Sequence, residues 1–111
     1  MAITTEELAG GITRVILEGR LDVENSPAVD SSMKVIAGGR NLVLVDLRNV
    51  SFLGSMGLRS LVAPALVIRG RGGKMVLLGP NEMVAKVLKV RGVENMIPVH
   101  HELQSALAAL Q

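Results

Sequence analysis

Apolar positions along this chain switch repeatedly between a spacing of two and a spacing of three to four. Ile12-Thr-Arg-Val-Ile-Leu-Glu18 alternates and then runs apolar, which predicts a strand. Met1 to Glu7 carries a shorter alternation and is read as an edge strand, hairpinned to the first through the turn Leu8-Ala-Gly-Gly11. Gly19-Arg-Leu-Asp22 then leaves the strand. Ser26-Pro27 opens a helix, with Ser as cap and Pro in the first turn. Val29, Met33 and Ile36 fall on one face of it, and Gly38-Gly39 is its stop. Leu42 to Leu47 is apolar on both faces, as expected for an interior strand covered on both sides.

The second helix is predicted from about Ser55 to Arg69, ended by Gly70-Arg-Gly-Gly73. Lys74 to Leu78 is a further apolar strand. Asn81 caps a third helix with Val84, Val87 and Leu88 apolar. Lys86, Lys89 and Arg91 lie towards its C-terminal end, where cations suit the helix dipole, and Gly92 closes it. Ile97-Pro-Val99 reads as a last edge strand, since Pro is tolerated there. Glu102 to Leu110 is a final helix. Strands alternating with helices imply crossover units. The fold class is α/β: one domain over residues 1–111, with a mixed, mostly parallel sheet of four to five strands and about four helices.

The second helix has two unusual features. At 100° per residue, Leu58, Leu61, Ala65 and Ile68 fall on the core side. Met56, Ser60, Ala63 and Val67 fall on the opposite side, flanked by Arg59. An outer face that apolar suits a docking stripe for a partner or for a second copy of the chain, giving a homodimer; the alternatives are cover by another segment, or scattered alanine and valine simply exposed to water. Pro64 lies mid-helix, where it removes a hydrogen bond and should kink the helix or expose the Ser60 carbonyl.

Composition narrows the function. With 49% apolar residues but one Phe, no Trp and no Tyr, the core must be aliphatic, and the composition argues against base stacking on an aromatic platform. A net charge of +2, with only Arg69, Arg71 and Lys74 clustered, gives no basic face for direct nucleic-acid binding. The absence of cysteine fits a reducing cytoplasm. No signal peptide is visible, and Leu61 to Ile68, the longest apolar run, is far short of the ~20 residues a bilayer span needs. The expected location is cytoplasmic, away from membranes.

No cofactor or metal is called for. His100 and His101 are adjacent, point opposite ways on extended backbone, and have no third ligand at a useful spacing. Gly70-Arg-Gly-Gly-Lys74 fails as a phosphate loop: Ile68 stands at the first glycine position and Met75 follows the lysine. No acid pair suggests acid–base work. An enzyme is not expected.

One stretch does carry a chemical candidate. Gly54-Ser55-Met56-Gly57 joins the end of an apolar strand to the start of the second helix. The glycines allow a tight turn, and a helix start favours negative charge. It lacks a residue of the nucleophile-elbow pattern, so Ser55 is a candidate for modification rather than for hydrolysis.

Asp46-Leu-Arg-Asn-Val-Ser-Phe-Leu-Gly-Ser-Met-Gly-Leu58 resembles the signature of STAS domains, the anti-sigma factor antagonists of bacteria. That signature is a strand ending in Asp-Leu, an aromatic, then Asp-Ser-Ser/Thr-Gly-Leu. Gly19-Arg-Leu-Asp22, Gly72-Gly-Lys-Met-Val-Leu-Leu-Gly79 and Val87-Leu-Lys-Val-Arg-Gly-Val93 are similar to further landmarks of the family, in the same order.

The resemblance implies a STAS-type domain that binds an anti-sigma factor, typically a GHKL-type serine kinase. It implies phosphorylation by that kinase at Ser55 and restoration by a serine phosphatase. It implies docking through Asp22 and the loop after it, Gly54 to Gly57, and the outer face of the second helix. Gly54 stands where the family has Asp, and Met56 where it has Ser or Thr, which removes an acceptor and a charge beside the serine. A scaffold acting by self-association or constitutive binding, and a small-ligand or nucleotide sensor, are the alternative readings.

Overall fold

The computed structural model describes residues 1–111. The alternating N-terminal runs form the hairpin of β1 (Ala2–Leu8) and β2 (Ile12–Leu21). There follow α1 (Ser26–Gly39), β3 (Leu42–Leu53), α2 (Ser55–Gly70), β4 (Lys74–Leu78), α3 (Glu82–Val90), a 3-10 turn at Val93–Asn95, β5 (Val99–His100) and α4 (Leu103–Leu110). The five strands lie in sequence order, with β1 antiparallel to β2 and every other pair parallel.

That order decides where the helices go. Three crossovers step across the sheet in one direction, and a common right hand places α1, α2 and α3 on one face. Their buried residues, including Val29, Met33, Leu61, Ile68, Val84 and Leu88, join alternate residues of the strands in a core of 20 side chains. The opposite face is covered by α4, where Ala106 and Leu110 close on Ile12, Leu44, Val76 and Leu78. Neither cluster contains an aromatic ring, as the composition requires.

Beyond α4 this second face turns polar. Asp46, 3% exposed, accepts hydrogen bonds from Arg14 Nη2 at 2.7 Å and from Arg48 Nη2 at 2.7 Å, and Arg14 Nη1 reaches Glu6 at 2.8 Å. A buried carboxylate is tolerable only when so paired.

Several boundaries differ from the sequence reading. β2 runs on through Gly19 and Arg20 to Leu21, and β3 continues past Leu47 to Leu53. Two register shifts explain why the extension was hidden: β3 carries an extra residue between Asp46 and Asn49 and another between Val50 and Phe52. Each bulge breaks the alternation that marks a strand. Asn25, not Ser26, holds the cap position of α1 and makes no side-chain cap bond; the Ser26 hydroxyl donates to the Val23 carbonyl at 3.3 Å. The last strand is Val99–His100, because Ile97 is a buried core residue just before it. Asn81 caps α3 as expected, accepting from the Val84 N–H at 2.8 Å. Arg71, part of the only basic cluster, donates to Asn41 Oδ1 at 3.0 Å and to the Ala37 and Arg40 carbonyls, and so closes the C-terminal end of α1.

Candidate functional site

The site is built where β2 and β3 both end. The Gly54 N–H donates to the Leu21 carbonyl at 3.0 Å, fastening the end of β3 to the end of β2. Gly54 is extended and holds the N-cap position; its carbonyl accepts the first helical bond, from the Leu58 N–H at 2.9 Å. Gly57, one turn into α2, lies directly against the same strand end. A Cβ there would sit 2.4 Å from the Leu21 carbonyl oxygen. Glycine at 57 is what lets the helix start so close to the sheet.

This arrangement pushes Ser55 outward. It is the first residue of α2 and exposed, and no side chain caps the helix. Ser55 is therefore not the cap, and its hydroxyl is free of the backbone. Instead Oγ accepts a hydrogen bond of 2.9 Å from Arg91 Nη2. Arg91 follows α3, 36 residues along the chain. Sequence reasoning assigned it only to the dipole of its own helix, and no local signal pairs it with Ser55.

On the other side of Ser55 the β2–α1 loop forms the rim of an open depression of about 650 Å³, whose floor includes Phe52 and Gly54. Asp22 is on this rim. Its Oδ1 accepts from the Asn25 N–H at 3.1 Å and its Oδ2 lies 3.4 Å from Arg20 Nε. The Asn25 N–H, with Arg20 behind it, holds the Asp22 carboxyl below the ordinary carboxylate range. Asn25 Nδ2 in turn donates to the Arg20 carbonyl at 2.7 Å, and the Arg20 guanidinium stacks 4.3 Å from the Phe52 ring centroid. The loop after Asp22 is thus locked in place beside Ser55.

Beside Met56 a second concavity opens. It is a groove of about 680 Å³ between α1 and α2, with Asp30, Lys34, Ala37 and Gly38 on one wall. The other wall is Met56, Arg59, Ser60, Ala63, Pro64 and Val67. Met56 lines both the groove and the depression, so the two meet there, next to Ser55, which lines the depression alone. Met56 is 42% exposed and Val67 54%; Ala63 and Arg59 are also exposed.

The stripe expected from helical spacing therefore exists, with one correction. Ser60 is fully buried, and its hydroxyl donates to the Met56 carbonyl at 3.1 Å. Helical periodicity alone assigns one buried face, but α2 packs against both the sheet and α1. Ser60 and the buried Pro64 face the second of these. Pro64 sits within a helix that remains continuous to Gly70.

No group of metal-ligating side chains comes together anywhere in the chain. No helix is long and apolar enough to cross a membrane.

A five-stranded sheet with three helices on one face has a known counterpart. Residues 5–106 match the family model of the STAS domain, and the chain belongs to that family. Among curated proteins it is similar to an anti-sigma F factor antagonist of Paenibacillus polymyxa, 27% identical over 103 residues that cover 91% of this chain and 88% of that one. Among solved structures it is similar to an anti-sigma factor antagonist of Mycobacterium paratuberculosis, with a TM-score of 0.85, 27% identity, and coverage of 98% and 94%. A STAS domain protein of Planctomyces limnophilus shares the fold at a TM-score of 0.86 and 24% identity, covering 98% of this chain and 97% of its own.

Proposed function

We propose that this protein is an anti-sigma factor antagonist whose binding is switched at Ser55. The observation that carries the reading is the exposed Ser55 hydroxyl next to the exposed Met56, which lines the α1–α2 groove. The names of relatives that align over nearly the whole chain support it.

In this reading the partner is an anti-sigma factor with serine-kinase activity, of the GHKL type. It covers the groove wall of Met56, Arg59, Ala63 and Val67, and reaches over Gly54, Ser55 and Gly57 to Asp22. Ser60 lines the groove from within. While the antagonist is bound, the sigma factor is free. The kinase then transfers the γ-phosphoryl group of ATP: Ser55 Oγ forms a bond to the γ-phosphorus, the bond to the bridging oxygen breaks, ADP leaves, and the hydroxyl proton passes to a base on the kinase. The product carries about −1.5 to −2 charge in the middle of an apolar contact. Desolvating that charge against Met56 is unfavourable, so the complex dissociates. Hydrolysis by a serine phosphatase restores the binding form. The relay operates in the cytoplasm, and the chain supplies a surface and an acceptor rather than catalysis.

The fold should survive the modification, because Ser55 makes no bond to the backbone and a helix start favours an anion. Ser55→Asp should weaken binding to the cognate anti-sigma factor at least tenfold by calorimetry while leaving Tm within a degree or two. Unfolding of Ser55→Asp would make Ser55 a structural residue, and unchanged affinity would remove it from the interface.

A further inference from the structure

We infer that Arg91 is a built-in phosphate clamp for Ser55. The inference rests on the phosphorylation reading above and adds to it a residue that reading does not require. Three observations converge. The first is the contact itself: Arg91 Nη2 donates to Ser55 Oγ at 2.9 Å, so a phosphoryl group on that oxygen is formed within reach of the guanidinium. The second is that the side chain is available. Arg91 is exposed and takes part in none of the ion pairs of the chain, which all involve Arg14, Arg20, Arg40 or Arg48.

The third is an electrostatic mismatch. A guanidinium at the start of α2 faces the positive end of that helix, an arrangement favoured at a helix C-terminus and disfavoured at an N-terminus. The end of α3, from which Arg91 springs, is a favourable place for the charge, so the two helix ends act on the guanidinium in opposite senses. An anion on Oγ satisfies the helix start and the guanidinium together, and its planar fork of donors matches phosphate oxygens.

The base of the clamp is fixed. The Arg91 N–H donates to the Val87 carbonyl at 3.1 Å, and Gly92 turns the chain away in the left-handed region at φ 72°. At the other end of α3, Asn81 Nδ2 donates to the Val50 carbonyl at 3.2 Å, holding the helix on β3. The charged groups across the depression are Arg20, Asp22 and Glu24. Asp22 is already engaged by the Asn25 N–H and lies near Arg20, so it does not compete for Arg91. Phosphorylation thus exchanges one neutral-acceptor hydrogen bond for an ion pair that ties the end of α3 to the start of α2. The partner that must leave meets an ordered, clamped phosphate rather than a mobile one.

The test needs no kinase. Phosphoserine is incorporated at position 55 during translation, and its second ionisation, near pH 6 when unperturbed, is followed by phosphorus NMR in the wild type, Arg91→Gln and Arg91→Lys. The clamp predicts an ionisation in the wild type that lies lower than in Arg91→Gln by roughly half a pH unit or more, with part of the shift retained in Arg91→Lys, which keeps the charge but not the fork. Superimposable curves for the wild type and Arg91→Gln would overturn it. Because the phosphate is installed genetically, that failure is separate from failure of the relay itself, which would show as no transfer from ATP by the kinase.

Discussion

At the residue scale the site depends on a close approach that only glycine permits. With 2.4 Å between a Cβ at position 57 and the Leu21 carbonyl, Gly57→Ala must push α2 off the end of β2. The expected loss is about 2 kcal/mol, in the range of overpacked cores, read as a shift in urea midpoint at unchanged m-value. A neutral result would mean that the helix start is free to move, and with it Ser55. By contrast a Cβ at Gly54 would meet the Phe52 ring at 3.2 Å, a contact a side chain can relieve by moving. Ser55 was legible in the sequence because glycines flank it at a junction of strand and helix. Arg91 was not, because its contact depends on where the third crossover leaves the end of α3, and no spacing in the chain encodes that.

At the scale of elements, α2 is the part that serves two purposes. Leu61, Ala65 and Ile68 seal the core against the sheet, and Ser60 and Pro64 are buried on the α1 side. What remains outside is a strip with Met56, Ala63 and Val67, one wall of the groove whose other wall is α1. Val67, being 54% exposed, can be changed without opening the core. Val67→Glu should leave Tm within about 1 °C and weaken binding to the anti-sigma factor several-fold, or reduce self-association if a second copy is the occupant; analytical ultracentrifugation separates the two. No effect on either would take the strip out of the interface.

The first three helices were readable because each is closed by glycine, and the last because Leu103, Ala106, Leu107 and Leu110 keep a helical spacing. The second half of β3 was not: Arg48 and Asn49 are exposed, and the bulges on either side disrupt the pattern. The placement of Ser60 failed for a different reason. A helical wheel assumes one neighbour, and α2 has two.

At the scale of the whole molecule, the two faces of the sheet are unequal. Three helices cover one side, while α4 and a network around Asp46 share the other. Burial of the Asp46 carboxyl works against its ionisation, but hydrogen bonds from Arg48 and Arg14 outweigh this and hold it below the ordinary range. A carboxyl depressed on folding adds stability above its unfolded value, about 3.9, and that stability is lost as pH falls through the lower folded value. Stability should therefore fall on acidification below about pH 4, and Asp46→Asn should both flatten that decline and cost about 2 kcal/mol at neutral pH. Urea titrations at a series of pH values check both, and an unchanged acid limb in Asp46→Asn would show that other carboxylates govern it.

The polar network lies on the face opposite α1, α2 and α3, so this substitution should leave partner binding intact. The domain is thus a platform with the proposed switch, Ser55, at one end. The most direct measurement of the central claim is intact mass after incubation with ATP and the cognate anti-sigma kinase. The account predicts a gain of one phosphate in the wild type and none in Ser55→Ala. Binding to that kinase without any gain in mass would contradict it, and would make the domain a permanent partner rather than a relay.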